Sequence, residues 1–99
     1  MQMKQCHTLD EAREAIDAVD EEIVKLIALR NDYIKQIARF KTSIDEVKAE
    51  DRIEDVISKV RAQAIELDLS PNLINDLYIR MINGMVESEI AELRNAKGL

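Results

Sequence analysis

Between residues 9 and 41 the apolar side chains recur in steps of three and four, at Ala12, Ile16, Val19, Ile23, Leu26, Ile34 and Ile37. That spacing draws a single stripe along a helix. No Gly or Pro interrupts the segment, and Thr8 or Asp10 can cap its start, with acidic residues in the first turn. At 1.5 Å per residue such a helix is roughly 50 Å long, whereas a compact chain of this size has a radius of gyration of only ~13 Å. The helix outruns its own globule and requires a partner, most simply a second copy of the chain.

After Lys41 the helical period is lost through residues 42–48, a polar stretch that the pattern predicts as a loop. A second helix follows over residues 49–67, facing inward with Ile53, Val56, Ile57, Val60, Ala64 and Leu67, and Asp68-Leu69 ends it. Ser70-Pro71 restarts the chain as a third helix, Ser as cap and Pro in the first turn. This helix runs to about residue 95 with Ile74, Leu77, Met81, Met85, Val86, Ile90 and Leu93 inward, and Gly98 closes it. Gly84 in its middle costs about 1 kcal/mol relative to Ala, so it either permits close packing or leaves space. Period-two alternation is absent. The expectation is an all-α single domain over residues 1–99, with one long helix and two shorter ones, built as an intertwined homodimer.

Composition narrows the function classes. The net charge of −6 argues against a nucleic-acid surface. A single cysteine, Cys6, excludes an internal disulfide framework and fits a reducing compartment. No apolar run reaches the ~18 residues of a membrane span, and residues 1–7 lack the apolar core of a signal peptide. A soluble, cytoplasmic protein is expected. Cys6 and His7 stand side by side, but two adjacent ligands without others make a poor metal site. The chain offers no Ser-His-Asp set and no Gly-rich phosphate loop.

What remains is charge in unusual places. Extending the first stripe by one turn from Leu26 gives Arg30, and from Ile37 gives Lys41. On an unbroken helix these two cations lie about 20° apart, on a face that is otherwise apolar. Glu89 stands one turn beyond Met85 and one turn before Leu93, a carboxyl on the stripe of the third helix. Lys25, Lys35 and Arg39 fall off the first stripe as ordinary solvated charges, and Glu87 and Glu92 fall off that of the third helix. Arg52 opens the second helix near Lys41, while Arg13 lies about 25 Å from Arg30 along the first. An antiparallel dimer can bring Arg13 of one chain towards Arg30 and Lys41 of the other. Such a cluster suits a small dianion, because Arg forks bind carboxylates and Lys acts as a point charge. The plainer alternative is surface ion pairing for each cation and an exposed position near the chain end for Glu89.

The layout and these residues resemble the all-helical class of chorismate mutases, over nearly the whole chain from residue 9 to residue 94. The segment Arg13-Glu14-Ala15-Ile16-Asp17 with Asp20 is similar to the family's opening motif. Arg30 falls at its second arginine, Arg39-Phe40-Lys41 at its catalytic lysine, and Asp51-Arg52 at its helix-two arginine. Glu89 falls where the third helix carries Gln or, in some fungal members, Glu. Within the family the sequence most resembles the isochorismate pyruvate lyases, which form salicylate, in Asp32-Tyr33, Lys35 and Arg39-Phe40-Lys41. Ile53 follows Arg52 where a typical mutase has a Glu that holds the substrate's 4-hydroxyl, a group isochorismate lacks at that carbon. Ala49 replaces the mutases' acidic loop residue, and Met85 replaces a small polar one.

The resemblance implies a cofactor-free and metal-free pericyclic enzyme with active sites shared between two chains. It implies Arg13 of the partner, Arg30 and Arg52 on the substrate carboxylates. Lys41 and a protonated Glu89 then donate to the breaking ether oxygen. Isochorismate cleavage to salicylate and pyruvate, with side chorismate mutase activity, is the leading expectation. A dedicated mutase converting chorismate to prephenate is the second. A non-catalytic helical dimer that binds an aromatic-pathway acid or a protein is the third.

Overall fold

The computed structural model of the chain describes residues 3–48 and 50–98. Its elements are α1 (Leu9–Ala38), a single turn α2 (Ile44–Val47), α3 (Glu50–Glu66) and α4 (Pro71–Lys97). No strand occurs among the described residues. The chain divides into two compact units, Met1–Tyr33 and Ile34–Leu99, and α1 starts in the first and ends in the second.

In the first unit the start of α1 is fixed by a reciprocal cap. Thr8 Oγ1 accepts from the Glu11 amide at 3.1 Å, and the Glu11 carboxylate accepts from the His7 amide at 2.9 Å. One amide that the helix leaves without a partner, and the amide just before the cap, are thereby satisfied. Thr8 is thus the cap, and Asp10 sits in the first turn, where its charge complements the helix dipole. The apolar stripe is present but uncovered: Ile16, Val19, Ile23 and Leu26 are between 41 % and 63 % exposed.

The second unit is organised on the α3–α4 hairpin. Just beyond α3 the backbone turns left-handed at Asp68, with φ 57°. The Leu69 amide returns to Ala64 O at 2.8 Å and the Asp68 amide to Ile65 O at 3.2 Å, the paired bonds of a Schellman cap. Ser70 then caps α4, its Oγ accepting from the Leu73 amide at 3.2 Å with Pro71 in the first turn. Arg61 crosses the corner and donates to Pro71 O and Asn72 Oδ1. Gly98 ends α4 in the left-handed region that its missing Cβ permits, its amide bonded to Arg94 O.

The core of this unit is small: Ala38, Val47, Ala64, Ile82, Met85 and Leu93 are buried. Ile53, Val56, Ile57 and Val60 on α3 and Ile74, Met81, Val86 and Ile90 on α4 are half-buried, as their spacing predicts. Leu67 and Leu77 depart from it and are exposed, while Ile82, outside the expected set, is buried. Leu67 lies beyond the last turn of α3, where the backbone has already begun to reverse. Ala49, the expected first residue of the second helix, lies outside the described residues.

Two further corrections bear on the site. The first helix stops at Ala38 rather than running to residue 41. The amides of Arg39, Phe40 and Lys41 each bond three residues back, to Gln36, Ile37 and Ala38, and this tightened turn takes the chain off the helix axis. Lys41 therefore does not continue the α1 stripe. The segment 42–48 is not plain loop either. Ser43 Oγ accepts from the Glu46 amide, and the Glu46 carboxylate in turn accepts from the Thr42 hydroxyl. These bonds cap α2, whose Val47 is buried with Ala38 and Leu93.

Gly84 is exposed, and a Cβ added there meets nothing within 4 Å. Gly84→Ala is accordingly expected to raise the unfolding free energy by about 1 kcal/mol, the helical propensity difference. Urea unfolding followed by circular dichroism measures it. A lower midpoint would show that another chain packs closely against this face.

Candidate active site

The buried residues of α4 are Ile82, Met85, Glu89 and Leu93, one face at helical spacing. Three are apolar and the fourth carries a carboxyl group. Glu89 is 3 % exposed, which rejects the reading of it as a solvated residue near the chain end. Burying a carboxylate is costly unless a cation and hydrogen bonds compensate. The cation is Lys41: its Nζ stands 2.9 Å from Glu89 Oε1, a charge-assisted hydrogen bond. The lysine side chain keeps about a quarter of its surface in solvent (23 %), against 4 % for the carboxylate. One partner is sealed and the other faces outward.

The same turn makes a second ionic contact. Arg39 Nη2 lies 3.8 Å from Glu92 Oε1, with Glu92 half-buried and Arg39 exposed. Glu89 and Glu92 are one turn apart on α4, so both acids point towards the turn that ends α1. Sequence periodicity placed Arg39 and Glu92 off the apolar stripes, Arg39 as a solvated charge. It compares residues only within their own helix, and this pair joins different elements.

The remaining candidates are placed differently. Arg52 is exposed and donates along its own helix to Asp55 Oδ2 at 3.1 Å. Lys59 reaches the same oxygen at 3.0 Å. The Lys59 hydrogen bond and charge hold the Asp55 carboxyl below the ordinary range, and Arg52 adds to this. Asp55 thus accepts as an anion above the unfolded carboxylate pKa of ~3.9, and its support for both cations is lost as pH falls through the lower folded value. Arg30 is half-buried on α1 and Arg13 exposed near its start, both in the first unit. Next to Arg30, the Oδ1 of Asn31 is buried and accepts no hydrogen bond among the described residues. Of the candidate site residues, the structure joins Lys41 directly to Glu89.

Chemically, this is an ammonium group at a half-open position, fixed by a carboxylate that cannot leave for solvent. It can donate to an oxygen that gains negative charge. Among the described residues no three His, Cys, Asp or Glu side chains group as a metal ion needs. No described helix is long and apolar enough to cross a membrane.

Residues 12–90 match the family described as chorismate mutase type II. The chain is also 30 % identical over 93 residues to the isochorismate pyruvate lyase of Pseudomonas aeruginosa, covering 94 % of this chain and 92 % of that protein.

The buried pair gives a stability test. Lys41→Met leaves Glu89 sealed without its cation and is expected to lower stability by about 3 kcal/mol. Adding Glu89→Leu removes the stranded charge and is expected to return most of that loss. Denaturant midpoints of the parent, the two single variants and the double variant decide it. A double variant no more stable than Lys41→Met would show that the pair contributes through shape and not charge.

Proposed function

The chain belongs to the chorismate mutase type II family, and from that premise we propose that it is an isochorismate pyruvate lyase with side chorismate mutase activity. The observation that carries the reading is the Lys41 ammonium, held by buried Glu89 at a half-open position. The reaction needs such a group and no nucleophile. In isochorismate cleavage the ether C–O bond breaks, a ring hydrogen passes to the enolpyruvyl methylene, and the ring becomes aromatic as pyruvate leaves. The electrons of the breaking bond gather on the ether oxygen, and a fixed cation beside that oxygen lowers the barrier. Holding the two carboxylates keeps the side chain folded over the ring, so that the reacting carbons meet.

Arg30 and Arg52, with Arg13 of a second copy, hold the carboxylates in this proposal. Arg52 exchanges Asp55 for substrate as it does so. Lys41 turns from Glu89 to the ether oxygen. Glu89 accepts from Lys41 in the free protein; donating to the ether oxygen requires it to carry a proton, so these roles belong to two protonation states of one residue. Ile53 after Arg52 favours isochorismate, and the similarity to the Pseudomonas lyase points the same way. A dedicated chorismate mutase is the second reading. Glu89, at a position where some fungal mutases of the family carry Glu, keeps it open. The uncovered stripe of α1 supports assembly as a homodimer, with each site completed by the partner.

Purified protein given isochorismate is expected to release salicylate and pyruvate, and given chorismate to form prephenate more slowly. Prephenate alone would establish the mutase reading; no product from either would leave a binding protein. Lys41→Ala is expected to lower kcat about 100-fold, the cost of losing one oxyanion donor, with a smaller change in KM. Glu89→Gln keeps the shape and donates in every state, and is expected to retain or raise turnover.

Shared sites have their own test. Arg13→Ala and Lys41→Ala are each expected to lose most of the activity. Mixed and refolded together, they give dimers with one intact site and partial activity. Sedimentation of a well-folded monomer at micromolar concentration, or no recovery from mixed dimers, would exclude the composite site.

A further inference from the structure

The end of α1 and the turn that follows it meet α4 in three places. Ala38, fully buried, packs in one cluster with Leu93 and Val47. Arg39 meets Glu92 at 3.8 Å, and Lys41 meets Glu89 at 2.9 Å. Glu89, Glu92 and Leu93 are spaced so that they share one face of α4. The contacts differ in what substrate does to them. Under the function proposed above, on which this inference rests, Lys41 gives up Glu89 when the dianion binds. The strongest bond between turn and helix is then gone at the moment the lysine must be held most accurately. The Ala38 contact lies at the end of α1, short of the turn, and is not directional. The ionic contact that persists on the turn itself is Arg39 to Glu92.

We propose that Arg39 and Glu92 are positioning residues, which keep the turn 39–41 seated on α4 in the substrate-loaded state and so aim the Lys41 ammonium at the breaking bond. They touch no reacting atom. Their effect belongs to turnover and not to substrate capture, because in the free protein the Lys41–Glu89 bond already seats the turn. An exposed, long ion pair is a weak contact, so the effect is modest.

The test uses Arg39→Gln, Glu92→Gln, the conservative Arg39→Lys, and the reversed pair Arg39→Glu with Glu92→Arg, each checked for helix content and unfolding midpoint. Each Gln variant is expected to lower kcat roughly two- to fivefold with KM nearly unchanged, the scale of an exposed ion pair. Arg39→Lys and the reversed pair are expected to recover most of the loss. Gln variants with the parent's kcat would overturn the proposal, as would a fall confined to KM or a reversed pair no faster than the single variants. A readout without substrate separates this from the functional reading. The Lys41 side-chain carbon resonance, assigned by its absence from Lys41→Arg, is followed in Glu89→Gln, where the stronger bond is weakened. Adding Arg39→Gln to that variant is expected to move the signal towards that of an exposed lysine. An unmoved signal counts against the proposal even where the enzyme is active. If the parent converts neither isochorismate nor chorismate, the functional reading fails, and the resonance alone decides whether Arg39 and Glu92 position Lys41.

Discussion

A carboxylate sealed among apolar side chains cannot stand alone, and Glu89 imposes that demand on the rest of the second unit. Its cation must come from another element, because its own helical neighbours Met85 and Leu93 are apolar. Lys41 meets the demand only because α1 stops at Ala38 and the chain turns sharply over the next three residues. Had the helix continued, the lysine would have followed the helix axis and stayed on the α1 stripe. The tight turn, the buried Ala38 and the capped single turn α2 with Val47 are thus parts of one solution, the delivery of an ammonium group to a buried acid.

That arrangement suits pericyclic chemistry in a chorismate mutase type II protein. A pericyclic step moves electrons in a ring and asks for no covalent help. It is helped by a substrate conformer held ready and by charge fixed where charge will develop. In the free protein the buried counter-ion keeps the ammonium at the half-open position. The ammonium is neither free to wander nor fully neutralised by water, and part of its surface remains open to a ligand.

Much of this was legible in the sequence, and the gaps have a common cause. The three long helices, the Ser70-Pro71 restart and the Gly98 end follow from periodicity and cap chemistry, both local properties. Glu89 stood out because a charge on an apolar stripe violates a local pattern. The end of α1 was missed because no Gly or Pro marks it; burial of Ala38 and the tightened turn end the helix. The cap of α2 did leave a signal in Ser43 and Glu46, three apart as in a capping box, but it was outweighed by the polar run around it. Lys41 was picked out for the wrong geometric reason, as part of a helical stripe it does not join. Arg39 and Glu92 were invisible to periodicity because their contact crosses between elements.

The Schellman cap between α3 and α4 has a consequence in time. The hairpin it closes joins segments adjacent in sequence, whereas Lys41 and Glu89 are separated by about half the chain. In an unstructured chain, closing the longer loop costs about 2 kcal/mol more entropy than closing the corner. Once the hairpin exists, much of that loop is already shortened. Loop entropy therefore favours closing the hairpin before the Lys41–Glu89 contact.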